Sequence, residues 1–273
     1  MFSRILIANR GEVAVRVIRA CKEMGIETVA VYSEADKDAL HVNMADESYC
    51  IGGPLARDSY LNISALITIA KKTGSEAVHP GYGMLSENAS FAKACEEEGI
   101  VFIGPSSSVM EKMGQKEIAR RIAAESGVPV IPGSEILNSP DEVKENAERI
   151  GYPVILKARA GGGGKGIRIV RDKDELAGAF SEVKKEAESS FGDDGIFMEK
   201  YLEHVKHVEV QILADKDGHV IILGDRDCSV QRRNQKLIEE CPAPVLSDCV
   251  RERMYESAKK LTSSVGYVTV GTV

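Results

Sequence analysis

Over its first hundred or so residues the chain alternates short apolar runs with stretches whose apolar residues recur at helical spacing, and no other feature restricts its fold as strongly. Ile5-Leu6-Ile7-Ala8 suits a strand buried on both faces. Gly11 follows, and Val13, Val17 and Cys21 recur at helical spacing up to Gly25, a residue suited to the position just past a helix. Thr28-Val29-Ala30-Val31-Tyr32 reads as the next strand. Asn62 can cap a helix running to Lys72, with Gly74 just beyond its end. Ala77-Val78 is a strand stub before a turn-rich loop, Glu87 to Glu98 a helix ended by Gly99, and Val101-Phe102-Ile103 another strand. Alternation of this kind predicts a parallel sheet covered on both faces over residues 1–112, followed by a helical linker over 113–132.

From Gly133 the pattern changes, so that the whole reads as α/β followed by α+β. Ser139-Pro140-Asp141-Glu142 combines a cap, a first-turn proline and first-turn acids, and Gly151 closes that helix. Val154-Ile155-Leu156-Lys157 and Ile167-Arg168-Ile169-Val170 are strands, Asp172 caps a long polar helix to about Ser189, and Phe197 to Tyr201 is a further strand. Residues 133–202 thus form a small α+β lid. In 203–273, Val208-Glu209-Val210-Gln211-Ile212 alternates as a half-buried strand should, Asp217-Gly218 marks a hairpin, and Val220 to Leu223 returns. A helix over Asp248–Ser264 leads to a last strand, Tyr267 to Val273, with no turn or polar tail after it; this region is expected to be the truncated start of a larger domain.

Composition narrows the classes. Apolar residues make up 43% and charged residues 28%, an ordinary globular balance, and no apolar run reaches the ~18–20 residues of a membrane span. The N-terminus lacks the apolar core and cleavage site of a signal peptide, so a cytoplasmic location without a membrane partner is expected. A net charge of −7 disfavours nucleic acid, though a local basic cluster can still take small anions. The six cysteines, Cys21, Cys50, Cys95, Cys228, Cys241 and Cys249, form no CxxC pair, which argues against a zinc site or a disulfide framework.

The segment richest in chemistry is Lys157-Ala158-Arg159-Ala160-Gly161-Gly162-Gly163-Gly164-Lys165-Gly166. Consecutive glycines let backbone N–H groups close on an anion, and Lys157 and Lys165 add positive charge beside phosphates. A Walker A loop and a dinucleotide fingerprint both open a helix, whereas this run joins two β-type segments. The loop 161–166 is expected to be the most mobile ordered loop, between antiparallel strands. Met198-Glu199-Lys200-Tyr201-Leu202 could offer backbone groups to an adenine edge, although a polar strand end is locally the plainer reading. Arg232, Arg233 and Lys236 cluster within Asp225–Lys236 and could meet small anions such as bicarbonate or a terminal phosphate; a solvated charged face is equally compatible. His79-Pro80-Gly81-Tyr82-Gly83 with Ser86-Glu87-Asn88 is a turn and a helix cap that can also line a site.

Together IANRGEVAVRVIRA at 7–20, HPGYGMLSEN at 79–88, FIGPS at 102–106, GYPVILKARAGGGGKGIRIV at 151–170, MEKYLE at 198–203, HVEVQILAD at 207–215 and DRDCSVQRRNQKLIEE at 225–240 resemble the biotin carboxylase family. ADESYCIGG at 45–53 and SYLNI at 59–63 resemble the bacterial acetyl-CoA carboxylase subunit more than pyruvate carboxylase. The resemblance implies a Rossmann-like N-terminal domain, an ATP-grasp lid and the start of the ATP-grasp C-terminal domain. It implies ATP with Mg2+ or Mn2+, and biotin as a carrier-bound substrate. Partners implied are a biotin carboxyl carrier protein or domain, a carboxyltransferase component and, at full length, a second copy in a homodimer. Lys116 and Lys157 would contact the nucleotide phosphates and Gly163 and Gly164 would close over them. Glu199, Lys200, Tyr201 and Leu202 would read adenine, His207 would reach the ribose, and Gln231 and Asn234 would lie near the nucleotide. Lys236 would be the catalytic group that binds bicarbonate or the transferred phosphate, and Tyr82 and Gly83 would face biotin. Many members carry His where Asn234 stands, so no titrating role is expected there. The family's metal-binding glutamates and catalytic arginine follow the strand containing Gly271-Thr272-Val273, so no metal ligand is expected within 1–273, and these residues alone are expected to be inactive. A carbamoyl-phosphate-synthetase type of bicarbonate-activating enzyme and a non-catalytic nucleotide-binding module are the two rivals.

Overall fold

The computed structural model describes residues 1–159, 166–232 and 235–273, the side chains of Lys116, Glu117 and Phe191 apart. They divide into two compact units: residues 1–115 with 213–220 and 265–270, and residues 116–212 with 221–264 and 271–273. No helix among the described residues is long and apolar enough to cross a membrane.

The first unit alternates β1 (Arg4–Ile7), α1 (Gly11–Glu23), β2 (Glu27–Tyr32), α2 (Leu40–Met44), β3 (Glu47–Cys50), α3 (Ile63–Thr73), β4 (Ala77–His79), α4 (Ala89–Glu97), β5 (Val101–Phe102) and α5 (Ser107–Gly114). Its five strands pair in parallel in the order β3-β2-β1-β4-β5. Strand residues alternate faces, so Leu6 joins Val29, Leu66, Val78 and Phe91 on one side of the sheet while Ile5 and Ile7 join Ala14, Ile18 and Ala77 on the other. Asn62, Asn88 and Ser106 each accept the N–H three residues on and so start α3, α4 and α5. The helix expected from Glu87 begins two residues later because Asn88, inside the expected span, is its cap. α2, β3 and α5 carry too few periodic residues to stand out in the sequence.

The second unit opens with α6 (Lys116–Glu125) and α7 (Pro140–Ile150), then β6 (Val154–Ala158), β7 (Ile167–Val170), α8 (Lys173–Phe191) and β8 (Ile196–Lys200). β7-β6-β8 form an antiparallel sheet. Val154, Leu156, Ala158, Ile196 and Met198 pack with Val143 and Ala147 of α7 and Phe180 and Val183 of α8. The alternate residues Ile155, Lys157, Phe197 and Glu199 therefore share the face turned away from those helices. β9 (Val208–Ala214), β10 (Val220–Arg232), β11 (Gln235–Glu240), α9 (Asp248–Ser264) and β12 (Thr269–Thr272) complete the chain, with sheet order β11-β10-β9-β12. The return strand expected over Val220–Leu223 runs on to Arg232, where its polar residues pair with β11 through a register shift. The polar composition hid both the extension and β11.

Candidate functional site

Lys157 on β6 and Glu199 on β8 lie on neighbouring rungs of one sheet face, since Ile155 pairs with Glu199 and Lys157 with Phe197. Their side chains close a hydrogen-bonded ion pair, Nζ to Oε2. The pair stands where β6 enters the glycine run. Gly163, Gly164 and Asn234 lie outside the described residues, as does the side chain of Lys116 at the start of α6. The two strands flanking the glycine run are antiparallel, as the sequence suggests, and Ala158 N–H donates to Gly166 O at 2.8 Å.

β8 runs into Tyr201 and Leu202. Lys200 Nζ donates to Gly151 O at 2.9 Å and Tyr152 O at 2.7 Å, so its charge ties β8 to the turn before β6. The N–H groups of Lys200 and Tyr201 are also committed, to Pro132 O at 2.8 Å and Pro153 O at 3.0 Å. This stretch can meet a ligand through its carbonyls and beyond Tyr201, while the Lys200 side chain is a structural tie.

A second cluster sits on β9, β10 and β11. Glu209, only 8% exposed, takes Lys236 Nζ on one carboxylate oxygen and Arg226 Nε, at 2.7 Å, on the other. Arg226 also donates to Gln211 Oε1 at 2.9 Å. Burial works to raise the Glu209 carboxyl, but the bonds from Lys236 and Arg226 outweigh it and hold it below the usual carboxylate range. The bond to Glu209 pushes Lys236 above the ordinary lysine value, so it is a firm cation at neutral pH. Alternation in 208–212 would put Glu209 in water; instead the two cations cover it, which is why sequence reading missed both Glu209 and Arg226. Alongside, Gln231 Nε2 lies 2.7 Å from His207 Nδ1 and donates to Cys228 O at 2.8 Å. Beneath β10, the buried Asp225 accepts Ala243 N–H at 2.7 Å, Arg251 Nε at 2.8 Å and Tyr255 Oη–H at 2.5 Å. Arg232 is exposed at the end of β10.

In the first unit the loop after β4 is bound to the end of β1. Asn9 Nδ2 donates to Pro80 O at 2.7 Å and Tyr82 O at 2.9 Å, and a Cβ at Gly81 would stand 2.7 Å from that same nitrogen. β1 and β4 flank the point where the strand order reverses, the usual place for a crevice in an open sheet. His79 Nδ1 accepts Gly81 N–H at 3.0 Å and burial lowers its pKa, so it acts as a neutral turn-former. Tyr82 is 67% exposed and Gly83 adopts φ of 64°.

Two groups of potential metal ligands occur among the described residues, Glu209-Cys228-Glu239 and Asp215-Asp217-His219. Neither suits Mg2+, which prefers six oxygens. In the first, one ligand is a thiol and the Glu209 oxygens already serve Lys236 and Arg226. In the second, Asp215 holds the N–H groups of its own turn and the His219 ring.

Residues 1–110 match the family model for the biotin carboxylase N-terminal domain, and 115–273 match that for the ATP-binding domain of the carbamoyl-phosphate synthase L chain. Biotin carboxylase 1 of Bacillus subtilis is 55% identical over 274 residues, covering 100% of the chain and 61% of that protein. The biotin carboxylase complex with β,γ-ATP from Campylobacter jejuni superposes with a TM-score of 0.91 at 49% identity, over 100% of the chain and 61% of that one. The biotin carboxylase domain dimer of Hydrogenobacter thermophilus 2-oxoglutarate carboxylase, in complex with MgADP, ADP and bicarbonate, gives 0.89 at 50% identity, over 100% and 60%. The chain thus spans about three fifths of the length of these relatives.

Proposed function

Because the chain belongs to the biotin carboxylase family, we propose that it carries the nucleotide-binding and bicarbonate-binding part of an ATP-dependent ligase that carboxylates carrier-bound biotin. The observation that supports this most is a pair of lysines, Lys157 and Lys236, each held by a carboxylate on a β-sheet. A lysine so held is positioned, and a phosphate or bicarbonate oxygen can replace or join the carboxylate.

In this reading bicarbonate attacks the γ-phosphate of ATP, ADP leaves, and carboxyphosphate forms. Carboxyphosphate breaks down to CO2 and phosphate, the phosphate takes the N1 proton of biotin, and N1 attacks CO2. Lys236 holds the bicarbonate or the transferred phosphate, with Glu209 and Arg226 aiming it. Lys116 and Lys157 meet the nucleotide phosphates, and the loop with Gly163 and Gly164 shuts water out while carboxyphosphate persists. Glu199 to Leu202 pass along the adenine edge, with His207 toward the ribose and Gln231 and Asn234 nearby. Tyr82 and Gly83 face the biotin side. Mg2+ or Mn2+, when bound with the nucleotide, would supply charge compensation for the transferred phosphoryl group, and its protein ligands are expected outside 1–273.

The domain division 1–112, 113–132, 133–202 and 203–273, the cytoplasmic location, the carrier and carboxyltransferase partners, the full-length homodimer and the assignment to acetyl-CoA carboxylase belong to the same proposal. A carbamoyl-phosphate-synthetase type enzyme is favoured only by the description of the second family model; the match over 1–110 favours the biotin enzyme. The test is ATP- and bicarbonate-dependent carboxylation of free biotin by the whole protein that contains this chain. Lys236→Gln is expected to lower turnover by ~10² or more, and carboxylation unaffected by that change refutes the assignment.

A further inference from the structure

On its second edge β8 has a neighbour outside the sheet β7-β6-β8. Residues 132–137 run beside it. Leu137 N–H donates to Ile196 O at 2.7 Å, Ser134 N–H to Met198 O at 2.8 Å and Lys200 N–H to Pro132 O at 2.8 Å. Ser134, 6% exposed, also accepts Met198 N–H on its own Oγ at 2.9 Å. The segment meets β8 through these bonds and two isolated bridges, Gly133 with Glu199 and Leu137 with Ile196, so any further restraint on its backbone bears on how it lies along β8.

Arg149 on α7 restrains this segment through Nη2, which donates to Gly133 O at 2.9 Å, and Arg120, on α6, supplies a second restraint. Its Nη2 donates to Ser134 O at 3.0 Å. Its Nη1 is buried and has no hydrogen-bond partner among the described residues, and no carboxylate there pairs with it. The guanidinium occupies the space where a side chain at Gly133 would begin. A Cβ there would stand 1.7 Å from Nη1 and 2.8 Å from Met198 O. Glycine at 133 and arginine at 120 are therefore one fitted pair, pressed against the backbone of β8.

We propose that Arg120 is a positioning residue that holds the 132–137 segment against the adenine-reading strand and so tunes base specificity. The inference rests on the nucleotide-binding reading of β8 above. A planar fork that bonds Ser134 O with one nitrogen and sets the other over Gly133 is not reproduced by a lysine, whose point charge can reach the Ser134 carbonyl but does not fill the same space.

The test is calorimetric titration of the chain with MgADP and, separately, MgIDP, whose base differs at the edge a hinge strand would read. Arg120→Ala is expected to weaken MgADP about fivefold or more and to shrink the preference for MgADP over MgIDP, with Arg120→Lys in between. Gly133→Ala, whose Cβ displaces the guanidinium, is expected to reproduce the loss, and the double variant to be no worse than Gly133→Ala, as coupled neighbours behave. Thermal melts identify variants that fail to fold, and Arg120→Lys then carries the comparison. Equal weakening toward both nucleotides, or additive losses in the double variant, overturns the inference. Binding by Arg120→Ala identical to the unsubstituted chain overturns it alone. No binding by the unsubstituted chain overturns the functional reading and the inference with it.

Discussion

β1 and β11 are short strands in opposite surroundings. Leu6 and Ile7 of β1 are wholly buried, whereas every residue of β11 is exposed. β1 is held by apolar packing on two faces and by parallel partners on both edges. β11 pairs with β10 and carries Lys236 to Glu209. The first sheet is a scaffold stabilised by burial. The second displays charge, and its geometry depends on a few hydrogen-bonded carboxylates. Substitutions in the two regions should accordingly fail in different ways.

The largest effect is expected in the scaffold. Leu6→Ala removes a fully buried side chain from the middle strand and should cost about 2–5 kcal/mol in chemical denaturation. A loss under about 1 kcal/mol would mean that the first sheet is not held by its core in the way described.

Asp225 sits between the two regimes, 1% exposed yet polar. Asp225→Ala strands Arg251, Tyr255 and the Ala243 N–H, with an expected cost of about 2–3 kcal/mol. Burial acts to raise this carboxyl, and the bonds from Tyr255, Ala243 and Arg251 bring it below the usual value. A depressed carboxyl contributes stability above its unfolded pKa, about 4, and loses it as pH falls through the folded value. Acid melts should therefore show stability declining below about pH 4, with a shallower decline in Asp225→Asn. Identical slopes would remove Asp225 from the explanation.

Glu209→Gln tests the charged sheet itself. It removes the negative charge of the acceptor that raises Lys236, so the Lys236 pKa is expected to fall toward the ordinary lysine value in an NMR titration. The accompanying loss of stability should be smaller, about 1–2 kcal/mol, because Lys236 can still reach water. An unmoved Lys236 titration would contradict the pairing. Smallest of all, Leu237→Ser on the open face of β11 should change stability by less than about 0.5 kcal/mol.

The same contrast explains what could be read from the residues. Much of the scaffold was legible because strands such as β1 and β2 announce themselves locally as apolar runs and helices such as α3 by a cap, Asn62, whereas α2 and β3 carry no such signal. The lid strands around the glycine run were legible for the same reason, and so was α9. The charged cluster was legible only in part. Lys236 stands out within a basic segment, but Glu209 is paired with Arg226 and Lys236, 17 and 27 residues away. Asn9 meets a loop more than 70 residues on. Such partners are joined by sheet order and register, which no local pattern encodes.

The most direct measurement is calorimetric titration of MgADP into the chain and into its Lys157→Ala variant. If nucleotide phosphates rest on the lysine that now pairs with Glu199, the substitution should weaken binding at least about tenfold, or 1.4 kcal/mol, while leaving the melting temperature of the first unit unchanged. Equal affinity in the two proteins would contradict the placement of the nucleotide on this sheet.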